Sequence, residues 1–317
     1  MVKVQSSKFN VGNFMIGVDG GGTKTAAALA DMNGKIIARA VSGGSSVRNF
    51  GIELAAENVA KAIYDLIKRR KNIKIASVFI GLPAMEEEYK DKKPAIIREL
   101  KKQKKIAAIF KGKVEVGSDQ LVAFRSGSYA KDGIVAICGT GSAVHGWNGK
   151  KEALANNQGW VSKGSAIWIG NKVMEAVAED LDGRGKKTIL TDLVFKKYKF
   201  KDINKLLKFV YQDSKSDLPK LAVLCDEAAN QGDKVAQEIL IQAGKEIALS
   251  VRVVAQKLRF DEQVPLVLVG GLYKSRWMAD TAADEIQRHY PGKFDFVFVG
   301  DPVIGAIRLA LEARSSK

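Results

Sequence analysis

The sequence predicts an α/β protein built from two related domains, and three observations carry that prediction. A short apolar run, a glycine-rich loop, a second run, an Asn-Gly turn and a third run follow one another over 14–41 and again over 134–155. An internal repeat on this scale is a fold-level signal. After each copy, segments with helically spaced apolar residues alternate with further short apolar runs, as in strands joined by helices. The chain has 317 residues. At roughly 150 residues per domain, that length suits one large or two medium domains.

Composition narrows the class. A hydrophobic content of 46% with 27% charged residues reads as a soluble globular chain. No apolar run approaches the roughly 20 residues that span a bilayer, so no membrane partner is expected. The polar start lacks a signal-peptide apolar segment, and residues 1–11 read as a loose tail. Cys138 and Cys225 form neither a metal spacing nor a disulfide framework, so a reducing cytoplasm is expected. The net charge of +16 invites a nucleic-acid reading. Its runs at Lys68–Lys74, Lys101–Lys105 and Lys196–Lys201 fall at helix ends or loops with few aromatics between them. We read them as solvated surface that attracts an anionic substrate, with no nucleic-acid partner.

In order along the chain, the strand Phe14–Val18 enters Gly17-Val18-Asp19-Gly20-Gly21-Gly22-Thr23-Lys24-Thr25. Adjacent glycines let a backbone turn sharply and aim N–H groups at an anion. Thr23, Lys24 and Thr25 add donors, and Asp19 suits a Mg²⁺ placed between it and a phosphate. The stretch therefore reads either as a nucleotide phosphate loop or as a glycine-rich turn. Neither the P-loop nor the dinucleotide spacing is present, and Ala26–Ala30, Asn33-Gly34 and Ile36–Val41 continue it as a hairpin. A polar loop, Ser42–Asn49, precedes a helix over Ile52–Ile67 with Leu54, Val59, Ala62, Ile63 and Leu66 on one face. A strand at Ile75–Ile80, a charged helix at Glu86–Lys104, a strand at Val114–Val116 and a helix from Leu121 follow. Asp119, between those last two, is read either as a helix N-cap or as a base at a strand end.

The second copy runs Ile134–Ile137, Gly139-Thr140-Gly141-Ser142, Ala143–Trp147, Asn148-Gly149 and Ala153–Ala155. A domain boundary is expected near Gly127–Gly133. His145 and Cys138 read as packing residues. Helices are expected at Ser165–Leu181 (face Ile169, Val173, Val177, Leu181) and, after a helical insertion over 188–230, at Lys234–Leu258. The strand Pro265–Val269 ends in Gly270-Gly271; a helix at Trp277–Arg288, the strand Phe294–Val299 and a closing helix from Pro302 complete the chain. Ligands of open α/β sheets bind beyond strand carboxyl ends, where all three glycine sites stand. Two facing loops would hold phosphates, and the third would admit a flat base.

Together with Ser118-Asp119, Gly159-Trp160, Gly164-Ser165-Ala166-Ile167-Trp168-Ile169-Gly170, Val269-Gly270-Gly271 and Pro302-Val303-Ile304-Gly305-Ala306, these motifs resemble the N-acetylglucosamine kinase, or BadF/BadG/BcrA/BcrD-type ATPase, family of the actin-like, hexokinase-like superfamily. The resemblance implies two ribonuclease-H-like domains closing on ATP and a sugar, over 12–130 with a returning helix at 302–315, and over 131–301. It assigns Gly20, Gly21, Gly22, Thr23, Lys24 and Thr25 to the first phosphate motif and Gly139, Thr140, Gly141 and Ser142 to the second. Gly270 and Gly271 match the adenosine motif, and Asp119 the catalytic aspartate. An ATP- and Mg²⁺-dependent monosaccharide kinase is expected, with a homodimer as its assembly. The alternatives are an activator ATPase of a radical dehydratase or reductase, and a basic nucleic-acid-binding protein.

The chain departs from similar sugar kinases where the sugar is held. Gly159-Trp160-Val161-Ser162-Lys163-Gly164-Ser165 is shorter than the family's stretch and lacks its Asp-Glu pair. Ser45, Ser46, Arg48 and Asn49 stand in the other sugar loop. Gaining Lys163 and Arg48 while losing carboxylates would suit an acid sugar such as 2-keto-3-deoxygluconate, beside hexoses and amino sugars.

Overall fold

A computed structural model describes residues 13–70, 73–85, 89–200, 202, 204–206, 208 and 214–315. The tail expected at 1–11 lies outside them, as do 86–88 at the head of the expected charged helix and 209–213 within the expected insertion. The chain divides into two compact units. One takes the residues up to Gly127 together with those from Asp301 onward; the other runs from Ser128 to Gly300.

In the first unit, β1 (Asn13–Gly20), β2 (Lys24–Ala30) and β3 (Ile36–Gly43) form an antiparallel meander. Helix α1 (Val47–Ile67) leads to β4 (Lys74–Leu82); α2 (Lys93–Lys102) leads to β5 (Lys113–Ser118); and α3 (Asp119–Gly127) follows. Strands β4 and β5 add in parallel, giving the order β3-β2-β1-β4-β5. Side chains alternate across a strand, and here both faces are covered. Phe14, Ile16 and Val18 pack with Val59, Ile63 and Leu66 of α1, whereas Met15 packs with Val122 of α3 and with Ala306 and Leu309 of the chain's last helix. That is why β1 reads as an unbroken apolar run rather than an alternating one. Ser77 Oγ donates to the Ala310 carbonyl at 2.7 Å, and Arg308 Nη1 donates to the Arg125 carbonyl at 2.8 Å, which ties the last helix to this unit.

Three local expectations are corrected here. The loop expected over Ser42–Asn49 becomes helical from Val47, and Gly51 (φ 75°, ψ 172°) then breaks the backbone before the main helix. Leu54, expected on the buried face, is 44% exposed, because it stands five residues before Val59 and so about 140° round the helix from it, whereas Ala55 and Ala56 share the buried face with Val59, Ile63 and Leu66. The single charged helix expected up to Lys104 resolves into a 3-10 turn at Lys90–Lys92, then α2, then a 3-10 run at Lys104–Lys111.

The second unit repeats the plan. Strands β6 (Gly133–Cys138), β7 (Ser142–Asn148) and β8 (Lys151–Ala155) form the meander. Helices α4 (Ala166–Asp182), α5 (Leu190–Tyr198), α6 (Ser214–Asn230) and α7 (Lys234–Leu258) follow. Next come β9 (Val264–Val269), α8 (Arg276–His289) and β10 (Phe294–Val299), before the returning helix α9 (Val303–Ser315). The order β10-β9-β6-β7-β8, taken from its β8 edge, matches the first sheet strand for strand, with β9 and β10 parallel to β6. Helix α7 starts where Asp233 Oδ1 accepts from the Ala236 N–H at 2.8 Å. It buries Ile239, Ala243, Ile247, Val251, Val254 and Leu258 as one stripe. Leu181, expected on the buried face of α4, is 40% exposed; Asp180 occupies the inward position and accepts from Thr191 Oγ1 at 2.6 Å. The basic residues Lys101, Lys102, Lys196 and Lys197 sit in last helical turns, where a cation meets the negative end of the helix dipole.

Candidate active site

In the first unit, Gly21–Thr23 joins β1 to β2 and lies against the segment that follows β3. The Ser45 N–H donates to the Gly21 carbonyl at 2.9 Å. Thr25 Oγ1 donates to the Gly43 carbonyl at 2.7 Å and lies 2.8 Å from Ser45 Oγ. Asn58 Nδ2 donates to the Gly44 carbonyl at 2.7 Å. A Cβ on Gly20 would fall 2.4 Å from Ser45 Oγ and 2.7 Å from Leu82, so only glycine lets the two segments meet. Gly22, Thr23 and Lys24 are exposed, whereas Thr25 is buried and spends its hydroxyl on the brace. Ser45 and Ser46 are buried as well; Arg48 and Asn49 are exposed on the first helical turn.

Two carboxylates stand at strand ends of this unit. Asp19 lies one residue before the end of β1, paired with Ala26. Burial pushes its carboxyl up to about 7; Lys24 pulls the value down, and Asp301 pushes it up. Asp301 is itself bound to Arg39 at 2.8 Å. Sequence reasoning missed this residue, although Asp301-Pro302 before a helix was a visible signal. Asp119 is the first residue of α3, directly after β5, and is half-buried. Its neighbour Ser118 is engaged with the start of the helix: Ser118 Oγ accepts from the N–H groups of Gln120 (2.9 Å) and Leu121 (3.2 Å).

In the second unit, Gly139–Ser142 joins β6 to β7. A Cβ on Gly139 would meet open space, and Thr140 is exposed. The Ala166 and Ile167 N–H groups donate to the Gly139 and Thr140 carbonyls at 2.9 and 3.3 Å, so this loop satisfies the first donors of α4. Cys138 Sγ donates to the Gly164 carbonyl at 3.0 Å, and Ser142 Oγ donates to the Lys163 carbonyl at 2.9 Å. Gly159 begins a 3-10 turn over Gly159–Val161; the side chain of Trp160 lies outside the described residues. Ser162 is buried, and its Oγ accepts from the Gln158 N–H at 3.0 Å. Lys163 Nζ approaches Glu246 Oε1 of α7 at 3.6 Å, so its charge already faces a carboxylate that sequence reasoning did not connect to it. Asn156, also missed, holds the Lys163 peptide from both sides.

Gly270 has φ 132°, and a Cβ there would lie 2.0 Å from the Cys138 carbonyl oxygen. Its bareness therefore serves packing of β9 on β6, and the open backbone is at Gly271, where no atom lies within 4 Å of a Cβ position. His145, read as packing, is 1% exposed, and burial pushes its imidazole down to about 4.

Two five-stranded mixed sheets of matching order, each opening with an antiparallel meander and carrying a glycine loop after its first strand, define the two-domain actin-like, hexokinase-like fold. Within it, the chain belongs to the BadF/BadG/BcrA/BcrD ATPase family, whose model matches residues 16–310. It is similar to the N-acetyl-D-glucosamine kinase of Dictyostelium discoideum, 28% identical over 94% of this chain and 98% of that one. It is also similar to the N-acetylmuramic acid/N-acetylglucosamine kinase of Clostridium acetobutylicum, 27% identical over the same shares. Among solved structures, the ROK family glucokinase of Streptomyces griseus in complex with glucose and AMPPNP shares the fold with a TM-score of 0.61. That pair is 17% identical, with coverage of 94% of this chain and 99% of that one.

Proposed function

We propose that this protein is an ATP-dependent kinase that transfers the γ-phosphoryl group to a hydroxyl of an amino sugar, with Asp119 as the general base. The observation that carries the base assignment is the position of Asp119, half-buried at the first residue of α3 directly after the end of β5. Phosphoryl transfer is mostly positioning and charge stabilisation. A carboxylate beyond a strand end can accept the proton of the attacking hydroxyl. In this reading Gly20–Lys24 and Gly139–Ser142 meet the phosphates, while the N–H groups of Gly21 and Gly139 stay on the Lys24 and Gly141 carbonyls within their own loops and Thr25 supports its loop from behind. Gly271, with open space at its Cβ position, meets the adenosine, while Gly270 serves the strand packing. Arg48, Asn49, Gly159 and Trp160 meet the sugar, with Ser45, Ser46 and Ser162 as the buried frame beneath them.

Asp19 fits a cation. Burial and the neighbouring Asp301 hold its carboxyl near 7, and a cation beside it would favour the ionised form. Asp19 would hold Mg²⁺, directly or through water, and the ion would supply neutralising charge for the phosphates.

The amino-sugar assignment rests on the kinases named above and on Glu246, which counters the charge of Lys163. An ADP-release assay with glucose, glucosamine, N-acetylglucosamine, N-acetylmuramate and 2-keto-3-deoxygluconate tests it; N-acetylglucosamine or N-acetylmuramate should turn over fastest. Absence of turnover with all five would refute the kinase reading. Asp119→Asn should lower kcat by about 10²–10⁴-fold with nucleotide binding retained, and a near-normal rate would remove Asp119 as the base. The activator-ATPase alternative needs cysteines free to ligate a cluster. Cys138 and Cys225 are instead buried, with their thiols on the carbonyls of Gly164 (3.0 Å) and Ala236 (3.6 Å).

A further inference from the structure

We propose that Asn156 is a positioning residue that couples the loop Gly139–Ser142 to the loop Gly159–Lys163, so that a nucleotide on the first orders the second. This rests on the reading above, in which the first loop meets the phosphates and the second the sugar. Asn156 directly follows β8 and has φ 57°, a left-handed backbone that asparagine tolerates better than most residues. Its Nδ2 donates to the Lys163 carbonyl at 2.7 Å and to Ser142 Oγ at 3.0 Å. Its Oδ1 accepts from the Lys163 N–H at 2.9 Å. Ser142 Oγ in turn donates to the Lys163 carbonyl at 2.9 Å.

The set balances atom by atom. Both amide hydrogens of Asn156 are used, Ser142 donates once and accepts once, and the Lys163 carbonyl accepts through both lone pairs. The amide orientation follows from these partners, since the flipped amide would set Oδ1 against the Lys163 carbonyl and Nδ2 against its N–H. One side chain thus touches the last residue of the first loop and grips both polar groups of the Lys163 peptide. A shift of Ser142 acts on Lys163 through a connected set of short hydrogen bonds.

The test uses the full-length protein with Mg²⁺ and a non-hydrolysable ATP analogue, without sugar, and follows backbone hydrogen exchange. In the wild type the analogue should slow exchange over both 139–142 and 156–165. Asn156→Gly keeps the left-handed backbone and removes the clamp. It should retain the slowing at 139–142 and lose at least about tenfold of the protection at 156–165. Wild-type protection at 139–142 alone, or Asn156→Gly transmitting protection as the wild type does, overturns the coupling and leaves the kinase reading standing. No effect of the analogue on wild-type 139–142 removes the phosphate-loop reading and the coupling with it. Steady-state rates give the second readout. Asn156→Gly should raise KM for the sugar about tenfold while KM for ATP stays within about twofold, and Asn156→Asp should not rescue it because the carboxylate has no hydrogens to donate. An equal rise in both KM values, or full rescue by aspartate, would reduce Asn156 to a general structural role.

Discussion

His145 gives this protein a pH-dependent stability whose size follows from the structure. The ring sits on β7 at 1% exposure, with its centroid 4.0 Å from that of Trp147. Glu152 Oε2 lies 3.3 Å from Nε2, yet neither ring nitrogen has a hydrogen-bond partner among the described residues. The exposed carboxylate is too well solvated to offset burial, and the imidazole falls from 6.5 to about 4. Below pH 6.5 the unfolded chain binds a proton that the folded chain refuses until about pH 4, so stability is full above 6.5 and is lost as pH falls between those values. Each pH unit in that window removes about 1.4 kcal/mol. From pH 6.5 to 5 the loss is therefore about 2 kcal/mol. The assay is urea unfolding by circular dichroism at pH 7.5, 6 and 5, on the wild type and on His145→Gln, which keeps a polar side chain of similar reach but cannot titrate. The difference between the two curves isolates the histidine from carboxylates that both proteins share. Equal pH slopes in the two proteins would refute the argument, and Glu152→Gln should leave stability at pH 7.5 within about 0.5 kcal/mol.

Further expectations concern packing, charge and specificity. Gly305→Ala should destabilise the first unit by about 2–4 kcal/mol, because the added Cβ would lie 1.9 Å from the Val122 carbonyl oxygen and 2.6 Å from the Ser126 nitrogen, forcing α9 off α3. An unchanged thermal midpoint would mean that the two helices are not so tightly apposed. Asp301→Asn removes a negative charge that acts on Asp19 and is bound to Arg39; it should raise the Mg²⁺ concentration for half-maximal rate severalfold, and an unaltered Mg²⁺ dependence would separate Asp301 from the metal. Lys163→Ala should leave KM for N-acetylglucosamine within about twofold, because the ammonium is largely exposed and lies near Glu246. A selective rise in KM for 2-keto-3-deoxygluconate would instead place sugar acids among the substrates.

The sequence by itself determined the repeated plan. Apolar runs, Asn-Gly turns and helical periodicity are local patterns, and they marked strands, hairpins and most helices of both units. The glycine loops were equally visible because their geometry needs particular residues within a few positions. Folding decided what depends on partners far apart in the chain. Nothing near Lys163 announced that Glu246, on a helix beyond an entire insertion, would face it. Nothing near Asp119 showed that Ser118 Oγ would take the Gln120 and Leu121 N–H groups, since that turns on which oxygen the folded turn brings within reach of them. Asn156 was silent for the same reason: an asparagine after a strand is an ordinary turn residue until Ser142 and Lys163 come within 3.0 Å of its amide. Backbone order is written in short-range propensity and pattern, whereas hydrogen-bond partners and buried charges are set by packing between segments.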